Sequence, residues 1–391
     1  MSAFTPSGLG RLHEVMSRHV ESGYLPGLVA LVSRAGETHV EALGTRILGQ
    51  DAPVRRDTIF RIASTTKPIA AAAVVMLLEE CRLRLDDPLT EWLPELNQAK
   101  VIRDPAGPLE DVVPASRPIT TRDLLTFGCG YGFDFAHWES PLMRKMGELG
   151  VAPGANPPAI PPDEWLRQLA TLPMGHQPGE GWMYHTGLDL ASILVARVTG
   201  AAFSRFLEER IFGPLQMPDT AFFVPPEKLD RFGPQYGVQR GELGLALTDP
   251  LDGRFSKPPA FESGGGGLVS TADDLLAFQL MLLQGGRAGG ERLLSRSSVE
   301  LLQTNQLLPA QGMPLGPDMG WAFGCSVELR KTAVGSAVGR YGWTGGSGSA
   351  VYADPARNAV DILLTHRLMD GPNPRPDMQD LATAAYAAFD D

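Results

Sequence analysis

Residues 60–69 read Phe-Arg-Ile-Ala-Ser-Thr-Thr-Lys-Pro-Ile, and the apolar run Ala-Ala-Ala-Ala-Val-Val-Met-Leu-Leu follows at 70–78. This stretch decides the fold because it predicts a helix that is apolar on nearly every face, and such a helix belongs in the interior. Pro68 lacks an amide proton and is tolerated only near the start of a helix. We therefore expect a buried helix from about Ser64 to Glu80, with Ser64 in its first turn.

Ser64 and Lys67 form a Ser-x-x-Lys motif at the start of this helix. Residues three apart share a helix face, so the Lys67 amine can approach the Ser64 hydroxyl. A serine needs a base beside it to become a good nucleophile, and burial lowers the pKa of a lysine toward the range where it can act as one. The helix start also favours negative charge on an attacked carbonyl oxygen. The motif is short enough to arise by chance, so the surrounding sequence has to decide whether it is catalytic.

That context resembles a known family. The segments at 60–69 and 83–95 look like the nucleophile region of class C β-lactamase-like proteins, within the superfamily of serine β-lactamases and penicillin-binding proteins. Further blocks resemble the family in the family's order, and the resemblance runs from about residue 9 to residue 390. These blocks are 119–126, 178–186, 210–220 and 265–275.

The family's second motif, Tyr-x-Asn, falls on Tyr184, His185 and Thr186, so the tyrosine is retained and the asparagine is absent. The resemblance implies that Tyr184 shares the general-base role with Lys67. A lysine ammonium close to the phenol oxygen would stabilise its phenolate form. For His185 two interpretations stay open: contact with the leaving group, or a place in the wall of the pocket.

The third motif, normally Lys-Thr-Gly on an edge strand beside the serine, falls on Trp343, Thr344 and Gly345, followed by Gly346. In β-lactamases the cation helps to hold the substrate carboxylate, whereas an indole is apolar and only donates. We therefore expect a neutral acyl substrate. Tryptophan at this position resembles the family VIII carboxylesterases, EstB-like enzymes and related acyltransferases. The resemblance implies an oxyanion hole made by the amides of Ser64 and Gly346.

The predicted elements indicate an α/β (α+β) fold of the β-lactamase type. Strand-like segments occur near both ends of the chain, and a helical stretch with long loops lies between them. We expect one antiparallel sheet built from both chain ends, flanked by helices, and an inserted helical subdomain. The approximate domains are 1–82 with 200–391, and 83–199. The predicted strands are 28–33, 38–43, 323–329, 349–353 and 359–364, and the predicted helices include 9–21, 121–126, 163–172, 275–283 and 380–389.

The composition limits the classes of binding partner that we expect. Acidic residues exceed basic ones by 45 to 34, giving a formal net charge of −11, so neither nucleic acid nor an anionic membrane is an expected partner. No leader-like segment opens the sequence and no apolar run is long enough to span a bilayer. Three scattered cysteines, Cys81, Cys129 and Cys325, predict free thiols rather than disulfides. The expected location is cytoplasmic.

Other candidate sites are discounted. The run of four glycines at 264–267 lacks the Lys-Ser or Lys-Thr of a phosphate loop and is interpreted as a flexible turn near the site. Asp134, His137 and Glu139 have no established metal-ligand spacing, so no metal is predicted. Ser347 is a poor candidate nucleophile because its surroundings lack the last glycine of Gly-x-Ser-x-Gly.

These observations predict a serine hydrolase, a carboxylesterase of the EC 3.1.1 type that acts on small neutral esters through an acyl-enzyme on Ser64. No cofactor is expected, and the expected partner is a small-molecule ester. Three alternatives remain open: a β-lactamase or D-Ala-D-Ala peptidase, an acyltransferase of the same fold, and a non-catalytic ligand-binding protein. Acyl and alcohol preference and the oligomeric state are not readable from the sequence.

Overall fold

A computed structural model describes residues 2–238, 244–312 and 314–390. Its helices are α1 Pro6–Glu21, α2 Lys67–Glu79, α3 Thr121–Leu125, α4 Pro141–Glu148, α5 Pro162–Ala170, α6 Thr186–Thr199, α7 Phe203–Leu207, α8 Gly213–Leu215, α9 Ala272–Leu283, α10 Arg296–Gln303 and α11 Pro376–Ala388. Its strands are β1 Gly27–Arg34, β2 Glu37–Gly44, β3 Phe60–Arg61, β4 Lys100–Ile102, β5 Val112–Pro114, β6 Gln235–Val238, β7 Leu245–Asp249, β8 Val269–Ser270, β9 Arg287–Ala288, β10 Glu291–Arg292, β11 Met319–Trp321, β12 Ser326–Glu328, β13 Tyr341–Gly345, β14 Ser349–Asp354 and β15 Ala359–Thr365.

Strands from both ends of the chain form one antiparallel sheet. Within the described residues it has seven strands in the order β11-β12-β13-β14-β15-β1-β2. The ends are joined where β1 pairs with β15, in a register that runs from Leu28 opposite Thr365 to Arg34 opposite Ala359. The predicted fold class, a mixed α/β fold with a sheet completed by the two termini, is therefore confirmed.

Strand β1 is buried on both faces because helices cover both sides of the sheet. Leu28, Ala30 and Val32 pack in one hydrophobic core with residues of α1 and α11. Val29 and Leu31 point to the opposite face and pack in the larger core that contains α2. Since side chains alternate between the faces of a strand, one continuous apolar run serves both cores.

Helix α2 lies in the middle of the larger core, as its apolar sequence predicts. The residues from Ile69 to Leu77 are each at most 2% exposed. The predicted single helix from Ser64 to Glu80 is corrected in one respect: its first turn, Ala63–Thr66, is a 3₁₀-helix, and α-helix begins at Lys67. Pro68 has no N–H to donate to the Ser64 carbonyl, and the Lys67 N–H donates to that carbonyl instead.

The predicted strand 323–329 is also corrected. The structure places a tight turn between β11 and β12, closed by a bond from the Ala322 amide to the Cys325 carbonyl. Gly324 lies in this turn with φ +85°, and a Cβ there would meet the Lys67 carbonyl oxygen at 2.6 Å. The turn therefore rests on the backbone of α2, and only glycine allows so close an approach.

Strand β13 lies inside the sheet rather than at its edge, which corrects the position implied by the family resemblance. Only Tyr341 and Gly342 pair with β12, however, whereas all five residues pair with β14. Among the described residues, the half of the strand from Trp343 onward therefore has no strand partner on one side.

The segment 83–199 contains α3, α4, α5, all of α6 and the small ribbon of β4 and β5. Its division from the rest of the chain as a separate subdomain stays a prediction. In the part of the chain that the structure describes, no single helix has both the length and the apolar composition to cross a bilayer; the sharply bent pair Thr186–Thr199 and Phe203–Leu215 meets that test only when combined.

Candidate active site

Ser64 lies at the junction of sheet and core, in the 3₁₀ turn that precedes α2. Its side chain is 8% exposed and lines a cavity. The Lys67 Nζ lies 2.9 Å from the Ser64 Oγ. The turn is entered through Ala63 at φ +40°, a conformation that costs free energy for a residue with a side chain. This strained entry points Ser64 toward the cavity while Lys67 stays beneath it.

Lys67 is fully buried and has three polar partners. Besides Ser64, its Nζ lies 2.5 Å from the carbonyl oxygen of Gly265 and 3.2 Å from the Nδ1 of His185. Burial lowers the pKa of Lys67 to about 7, although the negative charge of Asp189 acts in the opposite direction. A substantial fraction of these amines is therefore neutral near pH 7, as a base requires.

Tyr184 is held beside Lys67 by its backbone and by aromatic packing. Reciprocal hydrogen bonds join the Tyr184 and Phe133 backbones, and the Phe127 ring packs edge-on against the phenol at 5.3 Å. The Lys67 Nζ lies 4.4 Å from the centre of the Tyr184 ring. The lysine therefore faces the π surface of the phenol.

The Tyr184 phenol favours its neutral form. Burial raises the pKa of this phenol above its usual value, and contacts with Ser64 and Trp343 offset this only in part. The indole Nε1 of Trp343 donates to the Tyr184 Oη at 2.5 Å. Burial is the largest effect on this pKa, so the phenol carries its proton near neutral pH. The general-base role of Tyr184 stays a prediction.

The residues of the third motif separate into two groups. Trp343, Thr344 and Gly346 line the cavity together with Ser64. Gly345 lies instead against the backbone before Ser64, where a Cβ would meet the Ile62 carbonyl oxygen at 2.3 Å. Gly345 therefore lets the strand approach the nucleophile turn. Its membership of the predicted substrate-binding set, with Trp343, Thr344 and Gly346, stays a prediction. The oxyanion hole of the Ser64 and Gly346 amides stays a prediction.

His185 lines the cavity and connects Lys67 to a carboxylate. Its backbone forms a γ-turn, with φ +87° and ψ −63°, closed by a bond from the Thr186 amide to the Tyr184 carbonyl. This rare conformation aims the imidazole at Lys67. The Nε2 on its other side lies 3.2 Å from the Asp189 Oδ2. Burial lowers the pKa of His185, and the Lys67 charge lowers it further, so the ring is neutral.

Asp189, Ser263 and Gly265 belong to this site and were missed in the sequence. Ser263 Oγ donates to the Asp189 Oδ1 at 2.5 Å, and the Gly265 amide donates to the same oxygen at 3.0 Å. Burial acts to raise the pKa of Asp189, but His185, Ser263 and Lys67 together hold it below its usual value. Residues 264–266 form a turn beside the site, as predicted, and the glycines at 264–267 are buried. The spacing of His185 and Asp189, four apart at a helix start, was the available signal.

The cavity above Ser64 has a volume of about 520 Å³ and a largely apolar lining. Phe135 and Trp138 are 47% and 61% exposed, so they lie at its opening. Among the described residues that line it, none is Asp, Glu, Lys or Arg. The lining comprises Ser64, Phe133, Phe135, Trp138, Pro153, Gly154, Ala155, Tyr184, His185, Trp343, Thr344, Gly346, Met369, Gly371 and Pro372.

In the described ranges, the other potential nucleophiles and metal ligands do not form a second site. Cys129 and Cys325 are free and buried, and burial raises the pKa of each thiol to about 12, which makes them poor nucleophiles. Cys81 is free and exposed. No three His, Cys, Asp or Glu side chains of the described residues come together as metal ligands.

This chain is similar to known proteins along most of its length. The sequence model of the Beta-lactamase family matches residues 12–386. Protein Rv1367c of Mycobacterium tuberculosis is 35% identical, with coverage of 94% of this chain and 90% of that protein. Esterase EstB of Burkholderia gladioli is 30% identical, with coverage of 92% and 91%. A solved structure described as "EstCE1, a hydrolase with promiscuous acyltransferase activity" superposes with a TM-score of 0.83 at 24% identity, covering 97% of this chain and 98% of that one.

Proposed function

Because this chain belongs to the Beta-lactamase family, which includes esterase relatives, we propose that it is a serine carboxylesterase that hydrolyses neutral, largely apolar esters through an acyl-enzyme on Ser64. The observation that carries the proposal is the 2.9 Å contact between the Ser64 hydroxyl and a lysine whose pKa burial lowers to about 7. A hydroxyl paired with a base of this pKa is an activated nucleophile near neutral pH.

The proposed reaction has two halves. In the first, the Ser64 oxygen bonds to the ester carbonyl carbon while neutral Lys67 takes the hydroxyl proton, and the amides of Ser64 and Gly346 hold the oxyanion. Collapse breaks the bond to the alcohol, which leaves with a proton from the Lys67 ammonium, relayed by the Tyr184 hydroxyl. In the second half, water gives a proton to Lys67 and attacks the acyl carbon, and Ser64 leaves with that proton.

The neutral lining of the cavity supports an ester rather than a β-lactam as substrate. Trp343 occupies the position where the third motif normally supplies a cation, and its N–H is engaged with Tyr184. A substrate carboxylate would therefore be desolvated in the cavity without a cationic partner, which is costly. The volume of about 520 Å³ exceeds the needs of an acetyl group, so longer apolar acyl groups are expected substrates too.

Acyl transfer is a second candidate activity, favoured by the apolar lining around the acyl position. Walls such as Phe133, Trp343 and Met369 favour an organic alcohol over water as acceptor. The two activities share the acyl-enzyme and differ only in what releases the acyl group. Product analysis with an added apolar alcohol separates them: a new ester indicates transfer, and free acid alone indicates hydrolysis.

The test compares the protein, its Ser64→Ala variant and a matched Ser347→Ala control on p-nitrophenyl butyrate and a chromogenic cephalosporin. Ser347 is also buried nearby, but its hydroxyl is bonded to the Arg61 carbonyl. We expect ester turnover to be lost in Ser64→Ala by at least about 10³-fold and retained in Ser347→Ala. Ester turnover that survives in Ser64→Ala, or cephalosporin turnover equal to ester turnover, would contradict the proposal.

A further inference from the structure

The polar contacts of Lys67 determine the direction of its lone pair. A neutral amine has two N–H groups and one lone pair. The three partners of Nζ are the Gly265 carbonyl, which only accepts, the Ser64 hydroxyl, and the Nδ1 of His185. If the His185 Nδ1 accepts, both N–H groups are used and the lone pair faces Ser64. If Nδ1 carries a proton, it competes for the lone pair.

We propose that His185 and Asp189 are positioning residues that keep the Lys67 lone pair directed at Ser64 by fixing the tautomer of His185. The inference rests on the proposed role of Ser64 and deepens it. The His185 Nε2 lies 3.2 Å from the Oδ2 of Asp189, whose lowered pKa keeps it an ionised acceptor. This carboxylate favours a proton on Nε2, which leaves Nδ1 without a proton and able only to accept from Lys67. A carboxylate that fixes the tautomer of an imidazole is an established way to orient a base.

Asp189 is itself oriented by two donors. Its Oδ1 accepts from the Ser263 hydroxyl and the Gly265 amide, so its Oδ2 faces His185. Gly265 therefore contacts both Asp189 and Lys67: its N–H donates to the carboxylate and its C=O accepts from the amine. The carboxylate cannot rotate without breaking two buried hydrogen bonds.

Three titratable groups face His185. Lys67 approaches from α2, Asp189 from α6, and the neutral Tyr184 phenol lies beside the imidazole at a ring distance of 5.9 Å. The segment at 263–266 contributes the Ser263 hydroxyl and backbone groups. Of these groups, Lys67 alone changes charge near neutral pH, because its pKa is about 7 while Asp189 stays ionised and His185 neutral.

The decisive variant is Asp189→Asn. The two donors at Oδ1 require the amide oxygen at that position, so the amide NH₂ must take the place of Oδ2 and donate to the His185 Nε2. The imidazole then carries its proton on Nδ1 and donates to the Lys67 lone pair. We expect kcat for p-nitrophenyl butyrate to fall by at least about 10²-fold with KM within about threefold.

Ser263→Ala is the matched control for packing around the same carboxylate. It removes one buried hydrogen bond to Oδ1 but leaves the contact between Oδ2 and His185, so its loss is expected to be under about tenfold. At His185 a conservative pair adds a rescue test. Asparagine places an acceptor oxygen near the position of Nδ1 and is expected to retain more than ten times the activity of His185→Phe.

Two measurements separate this inference from the proposed function. The rate at which a fluorophosphonate labels Ser64 depends on activation by Lys67 but needs no ester substrate. In the unsubstituted protein, ¹⁵N NMR identifies which nitrogen of His185 carries the proton, and this requires no variant to fold. We expect the Nε2–H tautomer and labelling at least about 10²-fold slower in Asp189→Asn.

Each outcome decides the question. A protein whose Ser64 is not labelled at all would overturn the proposed function and this inference with it. Normal labelling together with an Nδ1–H tautomer, or an Asp189→Asn variant that is labelled as fast as the Ser263→Ala control, would overturn the inference alone.

Discussion

The two halves of the site have opposite chemistry. The polar base, which we define as Ser64, Lys67, His185 and Asp189, is buried and its polar atoms bond to one another or to Gly265 and Ser263. The apolar walls, defined as Phe133, Phe135, Trp138, Trp343 and Met369, surround the open cavity above. In the proposed function, reactivity comes from the buried, hydrogen-bonded network, whereas substrate choice comes from surfaces that exclude charge.

Lys67→Met tests the polar base where the largest effect is expected. Methionine has a similar length and no base, so kcat should fall by at least about 10³-fold while KM changes little. The measurement is steady-state kinetics with p-nitrophenyl butyrate, with thermal unfolding to verify the fold. A variant that keeps a tenth of the activity would contradict this contrast between the polar base and the apolar walls, since reactivity would then not depend on the buried network.

Tyr184→Phe tests the residue at the boundary between the two halves. Loss of the hydroxyl would remove the proposed proton relay and should lower kcat by about 10²-fold. Trp343→Phe is its control, because it removes the N–H that donates to the Tyr184 oxygen, together with one ring of the indole, and leaves the phenol in place; its expected loss is about tenfold or less. Equal losses in the two variants would mean that the phenol serves only as a hydrogen-bond partner of the indole.

The pH dependence of kcat/KM tests the burial of the polar base. In the proposed mechanism neutral Lys67 is the active form, and burial lowers its pKa to about 7, so activity should rise with pH and level off above that midpoint. At pH 5 about one amine in a hundred is neutral, giving a loss of about 100-fold. The unfolded chain also binds more protons than the folded one between this pKa and the ordinary lysine value, so stability rises with pH in that window. A flat profile from pH 5 to 9 would contradict the assignment of Lys67 as base.

Trp138→Ala tests the apolar walls, where the smallest effect is expected. The indole is largely exposed at the cavity opening, so its loss should raise KM for a long-chain ester by about threefold to tenfold and leave kcat unchanged. A p-nitrophenyl acetate control should change less, because the short acyl group does not reach the opening. A fall in kcat with unchanged KM would place Trp138 in the chemistry instead.

The parts of this arrangement that follow local rules were predictable from the sequence. Pro68 located the start of α2, and the spacing of Ser64 and Lys67 placed both on one face. The apolar character of β1 placed it in the sheet. These inferences depend on nearest neighbours along the chain.

The parts that depend on distant contacts were not predictable. The γ-turn at His185 could not be predicted, because glycine, not histidine, is the residue that usually adopts its positive φ. The direction of the imidazole therefore could not be predicted either. Gly265 joins Lys67 to Asp189 only because tertiary packing brings its loop to α2 and α6. The turn at Gly324 likewise depends on its approach to the Lys67 carbonyl.

The most direct test of the central claim is to trap the acyl-enzyme. The protein is mixed with p-nitrophenyl butyrate, quenched in acid within the first turnovers and digested, and the peptide that carries residues 64–67 is analysed by mass spectrometry. The account predicts one butyryl group on Ser64 and none in the Ser64→Ala variant. A butyryl group on another residue during ester turnover, or turnover that leaves every serine unmodified, would contradict it.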